Sequence, residues 1–267
     1  MRCLKCCTAP TLVGLLLFSA SEAVAGGPET FCVDTYVGVN ATYAGARQDF
    51  IDRYEFLTGV APTVEDFESF AGEQEVADMP GNQGQFATEY ADGSVAPLPV
   101  IQATIAAPSG SRWMKNFGNG RPFGSSWVVR PKNEGESIYA FAQTNAQGDW
   151  VRVLGYNDDD ELIVSIDAPN SGTAFVGFVS RTPIAKVVIT PLGNGDFANG
   201  MDDVFVETTP LPDCADVTYD GNVDLADLNA VLASFGTENG CGDVNGDGFV
   251  DLADLNLVLA GFNSNCF

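Results

Sequence analysis

The sequence predicts a mainly β protein: an antiparallel β-sandwich preceded by a short N-terminal helix and followed by a small all-α domain. Short runs of β-branched and aromatic residues, separated by Gly, Pro and Asn clusters, recur between residues 63 and 209. Before residue 214, helical periodicity is confined to one segment that precedes these runs. Residues 214–267 contain the same motif twice. Many strands without intervening helices favour a sandwich, and a repeated short unit favours a separate domain.

The first 25 residues have the features of a secretory signal peptide. Arg2 and Lys5 precede an apolar run over residues 11–20, and the small residues Ala23 and Ala25 mark a cleavage site. The run is too short to span a bilayer, and no later segment is long enough. We therefore expect a secreted protein, extracellular or associated with the cell surface, without a membrane span.

Cysteine content agrees with an oxidising compartment. Three of the seven cysteines lie within the signal peptide, and four remain in the mature chain. An even number in an exported protein indicates two disulfides, for which three connectivities exist. We favour one bridge between Cys241 and Cys266 and a second between Cys32 and Cys214.

One amphipathic helix is predicted within an N-terminal helical segment, residues 26–62. Apolar side chains recur on one face of the stretch from residue 43 to residue 57. They belong to Phe50, Ile51, Tyr54 and Leu57. Gly59 and Pro62 are expected to end the helix.

The strand-rich region covers residues 63–209, and residues 210–213 form a short proline-containing linker. Strands are predicted around residues 64–67, 100–106, 126–130, 137–144, 150–156, 162–167, 174–180, 184–190 and 203–207. The Asn-Asp-Asp-Asp stretch at residues 157–160 is typical of a hairpin turn. These elements predict an antiparallel sandwich rather than a parallel sheet.

Charge and the absence of histidine exclude several functions. Without residues 1–25 the chain carries 10 basic and 35 acidic residues, so we expect no nucleic-acid partner. From Asp213 onward there are ten acidic residues and no basic one. The lack of histidine removes Ser-His-Asp and Cys-His catalysis and histidine zinc sites.

The carboxyl-terminal repeat contains two calcium loops. Two twenty-residue segments, beginning at Asp216 and at Asp243, are offset by 27 positions and share fifteen identical residues. In the second copy, oxygen donors occupy positions 1, 3, 5, 7, 9 and 12 around a glycine at position 6. These donors are Asp243, Asn245, Asp247, the carbonyl of Phe249, Asp251 and Asp254. Gly248 permits the sharp turn that curls them round a hard cation.

The first copy has the same arrangement with one weaker ligand. Its donors are Asp216, Thr218, Asp220, Asn222, Asp224 and Asp227. Because Thr218 offers a neutral hydroxyl, we expect this loop to bind calcium less tightly. One helix follows each loop, and the two helices are expected to bury their leucine faces against each other. Those faces contain Leu225, Leu228, Leu232 and Phe235 in the first copy and Leu252, Leu255, Leu259 and Phe262 in the second.

This duplicated loop-helix unit, with aspartate at position 12, resembles the type I dockerin domain. The resemblance covers residues 214–267 and implies a calcium-folded, EF-hand-like module that binds a cohesin domain on another protein. Cellulosomal dockerins often have a hydroxyl pair at positions 10 and 11 and basic residues at positions 17 and 18. Here Leu225, Ala226, Leu232 and Ala233 occupy these positions, with Leu252, Ala253, Leu259 and Ala260 in the second copy.

The preceding region resembles the lectin-like jelly-roll β-sandwich domains of secreted bacterial proteins. The resemblance is carried by VEDFESFA and by FVGFVSRTPIAKVVITPLGNGDFANGMDDVFVE. It implies a third, structural calcium between the first and last strands. Asp66 or Glu68 with Asp202 or Asp203 would supply its carboxylates, and the alternative is that these residues are solvated strand ends.

A lectin-like sandwich raises the possibility of carbohydrate binding, in which aromatic faces stack on sugar rings. The candidates are Trp113, Trp127, Trp150, Tyr139 and Tyr156, with Trp150 first. Burial in the core is the alternative for each of them. Four basic residues could bind an anionic sugar or could neutralise nearby carboxylates. They are Arg112, Lys115, Arg121 and Arg130.

The sequence therefore predicts a secreted, non-catalytic, calcium-binding modular protein. Its sandwich contacts an extracellular polysaccharide or the cell surface, and its dockerin module attaches it to a cohesin or another assembly. The alternative is a small polysaccharide-degrading enzyme, a glycosidase or lyase, for which Asp66 and Glu68 share one strand face. A third hypothesis is that the two repeats bind calcium and brace the sandwich.

Overall fold

The structure is a computed structural model that describes most of the chain from residue 33 to residue 266. It describes residues 33–70, 75, 77–79, 81, 83–90, 94, 100–103, 109–110, 112–115, 125–145, 151–168, 172–191, 200–211, 215–218, 220–238, 241–245 and 247–266. The predicted signal peptide, Cys32, Cys214, Arg121 and Trp150 lie outside these residues. No helix in the described part has both the length and the apolar composition to cross a membrane.

Twelve strands and three α-helices make up the described elements. The strands are β1 (Val33–Val39), β2 (Val64–Glu65), β3 (Gly84–Tyr90), β4 (Val100–Ala103), β5 (Arg112–Lys115), β6 (Ser125–Pro131), β7 (Ile138–Asn145), β8 (Val151–Tyr156), β9 (Leu162–Ala168), β10 (Ala174–Ile184), β11 (Lys186–Pro191) and β12 (Gly200–Glu207). The helices are α1 (Tyr43–Thr58), α2 (Leu225–Ala233) and α3 (Leu252–Ala260). The prediction of a mainly β protein is confirmed.

The strands form two antiparallel sheets. The larger sheet has the order β1-β10-β7-β12-β5-β4, with β2 paired to β12, and the smaller has the order β3-β6-β11-β8-β9. Strand residues alternate between the two faces of each sheet, so one face of every strand enters the core. The core between the sheets contains Phe86, Trp127, Val129, Phe141, Val153, Phe178, Val187, Ile189 and Val206. Strands β1, β3 and β5 were not predicted from the sequence.

The helix α1 covers the side of the larger sheet that points away from the smaller sheet. It extends from Tyr43 to Thr58, one residue beyond its predicted end, and Gly59 stops it in a left-handed conformation with φ of 72°. The buried face consists of Phe50, Tyr54 and Leu57. These side chains pack with residues of β7, β10 and β12, and Phe50 lies 5.4 Å from the ring of Phe205. The predicted apolar face of α1 is therefore confirmed.

A separate small core holds the two repeats together. It contains Ala215, Val217, Val223, Val231, Val250 and Val258. The prediction that the leucine faces bury against each other is wrong for most of its residues, because only Leu228 and Leu255 pack partly against this core. Each helix turns a valine and the position-12 aspartate inward instead. Asp227 and Asp254 are both 0% exposed.

Two contacts of the described residues lie where the sandwich meets the linker and the repeat domain. Leu211, in the predicted linker, is buried with the apolar face of α1. Arg181 of β10 donates from Nη2 to the backbone oxygen of Asp216 at 2.8 Å. The start of the first loop is therefore held against the larger sheet.

Candidate metal centre and exposed helical faces

The first loop is built around the carboxylate of Asp216. Its Oδ2 accepts from the amide of Gly221 at 2.7 Å, and its Oδ1 accepts from the amide of Asp220 at 3.1 Å. Gly221 has a φ of 90°, a conformation that glycine adopts at little cost. The glycine thus turns the chain so that the loop amides face the carboxylate of position 1.

The position-12 aspartate closes the same loop from the other side. Asp227 Oδ1 accepts from the amide and the hydroxyl of Thr218 at 2.8 and 3.0 Å. Its Oδ2 accepts from the amide of Asp224 at 2.7 Å. Asp227 therefore links the start of the loop to the first turn of α2, which explains why this charged side chain is buried.

The second loop repeats this arrangement. Asp243 accepts from the amides of Gly248 and Asp247 at 2.8 and 3.2 Å, and Gly248 has a φ of 89°. Asp254 Oδ1 accepts from the amides of Val244 and Asn245 at 2.7 and 3.1 Å. Its Oδ2 accepts from the Asp251 amide at 2.8 Å.

The two loops differ at position 3. The Thr218 hydroxyl donates to Asp227, whereas Asn245 donates from Nδ2 to Asp247 at 2.9 Å and keeps its Oδ1 toward the Asp247 amide at 2.8 Å. Thr218 is thus committed as a donor to the position-12 carboxylate. This contact gives a structural reason to expect weaker binding in the first loop.

Position 9 of each loop also begins the helix. Asp224 accepts from the Ala226 amide and Asp251 from the Ala253 amide, each at 2.6 Å. With the position-12 carboxylate, each forms a capping box at the helix N-terminus. The same carboxylates therefore connect loop geometry to helix formation.

The two loops are paired crosswise through their valines at position 8. The amide of Val223 donates to the carbonyl of Ser264 at 2.9 Å, after α3. The amide of Val250 donates to the carbonyl of Thr237 at 2.9 Å, after α2. Each loop is consequently completed by the segment that follows the helix of the other repeat.

The pKa values of two acids in the first loop shift in opposite directions. Burial raises the pKa of Asp216, and the amides of Gly221 and Asp220 oppose this only in part. Burial also acts to raise the pKa of Asp227, but the amides of Asp224 and Thr218 outweigh it and lower the pKa. A proton therefore competes for Asp216 more than for Asp227.

The donor chemistry of the loops fits calcium. Among the described residues, no three His, Cys, Asp or Glu side chains are grouped as a metal site in the structure, since the carboxylates bond to loop amides. Each loop still presents carboxylate, amide or hydroxyl oxygens at alternate positions around a glycine turn. Calcium prefers six to eight oxygen ligands of this kind in flexible loops.

The outward faces of both helices expose large apolar side chains in equivalent positions. Leu225, Leu232 and Phe235 are 61%, 51% and 45% exposed. Their counterparts Leu252, Leu259 and Phe262 are 63%, 51% and 38% exposed. We call these six residues the helical apolar faces. Leu257 and Phe249 are also exposed beside the second set.

The predicted third calcium ligands lie near one short segment of the sandwich. Asp202 Oδ2 accepts from the amide and hydroxyl of Ser109 at 2.8 and 3.1 Å. Glu68 Oε1 accepts from the amide of Arg112 at 2.5 Å. Asp66 accepts from the Glu68 amide at 3.1 Å, which is a bond within its own turn. The backbone amides of Ser109 and Arg112 thus hold Asp202 and Glu68, respectively.

Asp202 is the most strongly perturbed carboxyl of this region. It is 0% exposed, and burial raises its pKa to about 7, with the charge of Asp203 adding to the effect and the Ser109 amide opposing it. The buried hydroxyl of Thr144, across the strand pair from Asp202, has no hydrogen-bond partner among the residues that the structure describes. The carboxylate of Asp203 lies 3.4 Å from the guanidinium of Arg47.

Two buried glutamates were not singled out from the sequence. Glu65 accepts from the amides of Phe67 and Gly81 at 2.8 and 2.7 Å. Glu207 accepts from the hydroxyl of Thr63 at 2.8 Å and from the phenol of Tyr54 at 3.3 Å. Both carboxylates accept hydrogen bonds from backbone or side-chain donors near strand ends. Strand alternation alone does not distinguish them from solvated acids.

The sequence-predicted sugar-binding residues separate in the structure. Trp127 is 2% exposed and belongs to the core, as its alternative interpretation required. Tyr139, Tyr156 and Arg130 are half-buried strand residues. The side chains of Trp113 and Lys115, like Trp150 and Arg121, lie outside the described part. Of the predicted aromatics, Tyr156 lies on a face that no described helix covers.

Both cysteines described in the repeat domain, Cys241 and Cys266, are disulfide-bonded. This is what the predicted bridge between them requires. Cys32 and Cys214, the second predicted pair, lie outside the described residues.

Fold and site together define a class: an antiparallel two-sheet protein followed by a duplicated module with oxygen-rich loops. No protein-family model matches the sequence, and no curated protein matches it. A DUF4465 family protein from Bacteroides caccae is 13% identical, with a TM-score of 0.31, and the match covers 52% of this chain and 88% of that one.

Two carbohydrate-related structures show similarly low resemblance. The family 11 carbohydrate-binding module of a Clostridium thermocellum cellulosomal cellulase is 10% identical, with a TM-score of 0.25, covering 54% of this chain and 99% of that one. A glycoside hydrolase family 43 arabinoxylan arabinofuranohydrolase from Bacillus subtilis is 13% identical, with a TM-score of 0.28, covering 46% and 33%. These values assign neither a family nor an activity.

Proposed function

We propose that this protein is a secreted, calcium-binding modular protein. In this proposal a jelly-roll-type sandwich contacts an extracellular polysaccharide, and the dockerin-like repeat domain attaches it to a cohesin-type partner. The observation that carries the proposal is the duplicated loop in which two aspartates accept from backbone amides. Asp216 and Asp243 accept from the amide of the turn glycine, and Asp227 and Asp254 accept from amides at the start of the loop.

Calcium would supply the positive charge that the repeat domain lacks. Ten acidic residues and no basic one occupy the chain from Asp213 onward, so their mutual repulsion opposes a compact domain. Asp227 and Asp254 hold each loop to its helix, and these bonds persist only while the loop keeps its turn. Ligand binding that favours the closed loop therefore stabilises the domain.

The helical apolar faces support a protein partner. Solvent-exposed Leu and Phe side chains in two equivalent sets are typical of a surface that is covered in an assembly. Because the internal core of the domain is made of valines, these leucines are not needed to fill it. A cohesin-type domain would bury them.

The third calcium remains part of the proposal for the sandwich. Asp202 or Asp203 at the start of β12, with Asp66 or Glu68 just after β2, are the residues that would hold it. The buried hydroxyl of Thr144 beside Asp202, which has no hydrogen-bond partner among the described residues, supports an additional ligand at this position. A cation there would offset the cost of burying the Asp202 charge.

Calcium titration of the full chain tests the central part of the proposal. Isothermal titration calorimetry after chelator treatment should detect two sites in the repeat domain, and Asp254→Ala should weaken calcium binding there because we expect it to melt that domain. Asp158→Ala, in the exposed hairpin between β8 and β9, is the matched control and should bind normally. Unchanged binding in Asp254→Ala, or no binding at millimolar calcium, would contradict the proposal.

A purified type I cohesin domain is the probe for the partner. The full chain should bind it with calcium and lose binding when a chelator is added. Retention of binding in the chelator, or no binding to a panel of cohesins by the calcium-loaded chain, would leave the two repeats as a brace for the sandwich.

A further inference from the structure

The outer face of the five-stranded sheet is open in the described part of the chain. Along β8, Val151 and Val153 enter the core, while Arg152, Leu154 and Tyr156 alternate with them and face outward. No described helix packs on this face, because α1 contacts β1 and β10 and α2 packs with α3. We call it the outer face.

Strand register arranges the outer face into three rows. The middle row is apolar and contains Ala87, Val128, Val188 and Leu154. One flanking row contains Ser126, Thr190, Arg152 and Asp167, and the other contains Arg130, Lys186 and Tyr156. Neighbouring rows are separated by about 6.6 Å, since they are two residues apart along each strand. Hydrogen-bonding groups thus border the apolar row on both sides.

Two cations of the outer face are paired with carboxylates. Arg152 donates to both carboxylate oxygens of Asp167, at 2.6 and 2.8 Å. Lys186 pairs with Asp160, and its ammonium lies 5.3 Å from the centroid of the Tyr156 ring. The charges of Arg152 and Lys186 are therefore balanced, while the chain as a whole carries a net charge of −24. An acidic polymer would be repelled by the chain.

The outer face also differs from a protein-docking surface. Among the described residues, large exposed hydrophobic side chains are concentrated on the repeat domain, whereas Leu162 at the edge of this sheet is the exposed example here. Sugar rings combine apolar C–H faces with hydroxyl groups around their rims. The apolar row, half-buried at Ala87, Val188 and Leu154 and buried at Val128, lies between two polar rows and matches that distribution.

We infer that the outer face binds a neutral polysaccharide. The C–H faces of its sugar rings lie along Val188 and Leu154, one ring stacks on Tyr156, and the ion pair of Arg152 with Asp167 bonds to hydroxyls. The pair has both donors and acceptors in fixed positions, as hydroxyl recognition requires. This inference rests on the polysaccharide-binding part of the proposed function and assigns it a surface.

Affinity gel electrophoresis of the full chain tests this inference. The probes are mixed-linked β-glucan, xylan and galactomannan as neutral polymers and polygalacturonate as an acidic one. At least one neutral polymer should retard the protein, and polygalacturonate should not. Tyr156→Ala should weaken binding about tenfold, the loss of about 1.4 kcal/mol of stacking. Arg152→Ala should weaken it as well.

Phe56→Ala is the matched control. Phe56 is an exposed aromatic on α1 with the Arg53 guanidinium 5.9 Å from its ring centroid, so it resembles Tyr156 with Lys186 but lies on another face. The neutral polymers should retard the Phe56→Ala variant as much as the unmodified chain. Thermal unfolding checks that Tyr156→Ala is folded, and Tyr156→Phe should retain most binding if the ring stacks.

The results also separate this inference from the calcium proposal. Retardation that persists with a chelator supports the outer face even if the repeat domain binds no calcium. No retardation by any of the neutral polymers, preference for polygalacturonate, or full binding by folded Tyr156→Ala would overturn the inference.

Discussion

Arg181 on strand β10 donates a hydrogen bond from its guanidinium to the backbone oxygen of Asp216 at 2.8 Å. This bond joins the sandwich to the first ligand position of the first loop. The second loop begins at Asp243, which accepts from the amides of Asp247 and Gly248 in its own loop. The two loops are therefore similar in sequence but differ in their surroundings.

Removing this bond should weaken the first loop selectively. We expect Arg181→Ala to reduce calcium affinity at one site by about tenfold, the effect of losing a charge-assisted bond of about 1.4 kcal/mol, and to leave the other site unchanged. Calorimetric titration resolves the two sites. Arg53→Ala, which breaks an ion pair with Asp34 on the sandwich, is the control. Equal loss at both sites would contradict a local role for Arg181.

The position-12 aspartates should be the most sensitive residues of the repeat domain. Asp254 is fully buried and accepts from three backbone amides, so Asp254→Ala leaves those amides without partners. We expect it and Asp243→Ala to melt the domain, and Asp216→Ala to have a smaller effect because the first loop is the poorer one. Far-ultraviolet circular dichroism with and without calcium measures this. A larger loss in Asp216→Ala would refute the ranking.

Asp202 should make the stability of the sandwich pH-dependent. Its folded pKa of about 7 lies above the ordinary value of 3.8, so the folded state binds more protons between these values. The contribution of Asp202 is therefore most favourable below about pH 4, is lost as pH rises toward 7, and amounts to at most about 4 kcal/mol.

Replacing Asp202 by asparagine tests this dependence. In the presence of a chelator, Asp202→Asn should raise the unfolding temperature at pH 8 and have little effect at pH 4. Denaturation monitored at both pH values gives the comparison, with Asp158→Asn as an exposed control. If calcium binds at this position, the unmodified chain should recover stability at pH 8 when calcium is restored, and Asp202→Asn should not.

The helical apolar faces should contribute to partner binding without contributing to folding. Leu232→Asp combined with Leu259→Asp changes two side chains that are each 51% exposed, so we expect a stability change within about 0.5 kcal/mol. Binding to a cohesin domain should be lost. Surface plasmon resonance measures binding, and thermal unfolding measures stability. Unchanged affinity in the folded variant would show that the partner binds elsewhere.

The predicted bridge between Cys241 and Cys266 can be mapped directly. Peptide mapping without reduction should yield one linked fragment containing both residues, since both are disulfide-bonded. Reduction should lower the unfolding temperature of the repeat domain because the bridge restricts its unfolded chain. A fragment that links either residue to Cys32 or Cys214 would show that the predicted pairing is wrong.

Periodicity and spacing predicted the elements that depend on nearby residues. The helix α1 begins where its apolar face begins and ends at Gly59, and the turn at residues 157–160 joins β8 to β9. The loop pattern also placed glycines where φ is positive, at Gly221 and Gly248. Each of these features is determined within about a dozen residues.

Features that depend on distant contacts were missed. Strand β1 was assigned to a helical segment because its pairing partner, β10, is about 140 residues away. The inward side of α2 was also predicted wrongly. That helix has apolar residues on two sides, and the loop amides that draw Asp227 inward select the side of Val231. A helical pattern alone does not contain this information.

The crosswise pairing of Val223 with Ser264 and of Val250 with Thr237 makes the last few residues of the chain a component of the loop that starts about fifty positions earlier. Trimming the tail after Phe262 would remove the strand partner of Val223 and open the loop of Asp216, although that loop's own sequence would be intact. An affinity tag fused directly to the carboxyl end would crowd the same place. Expression designs for this protein should therefore leave the segment after Phe262 intact and untagged.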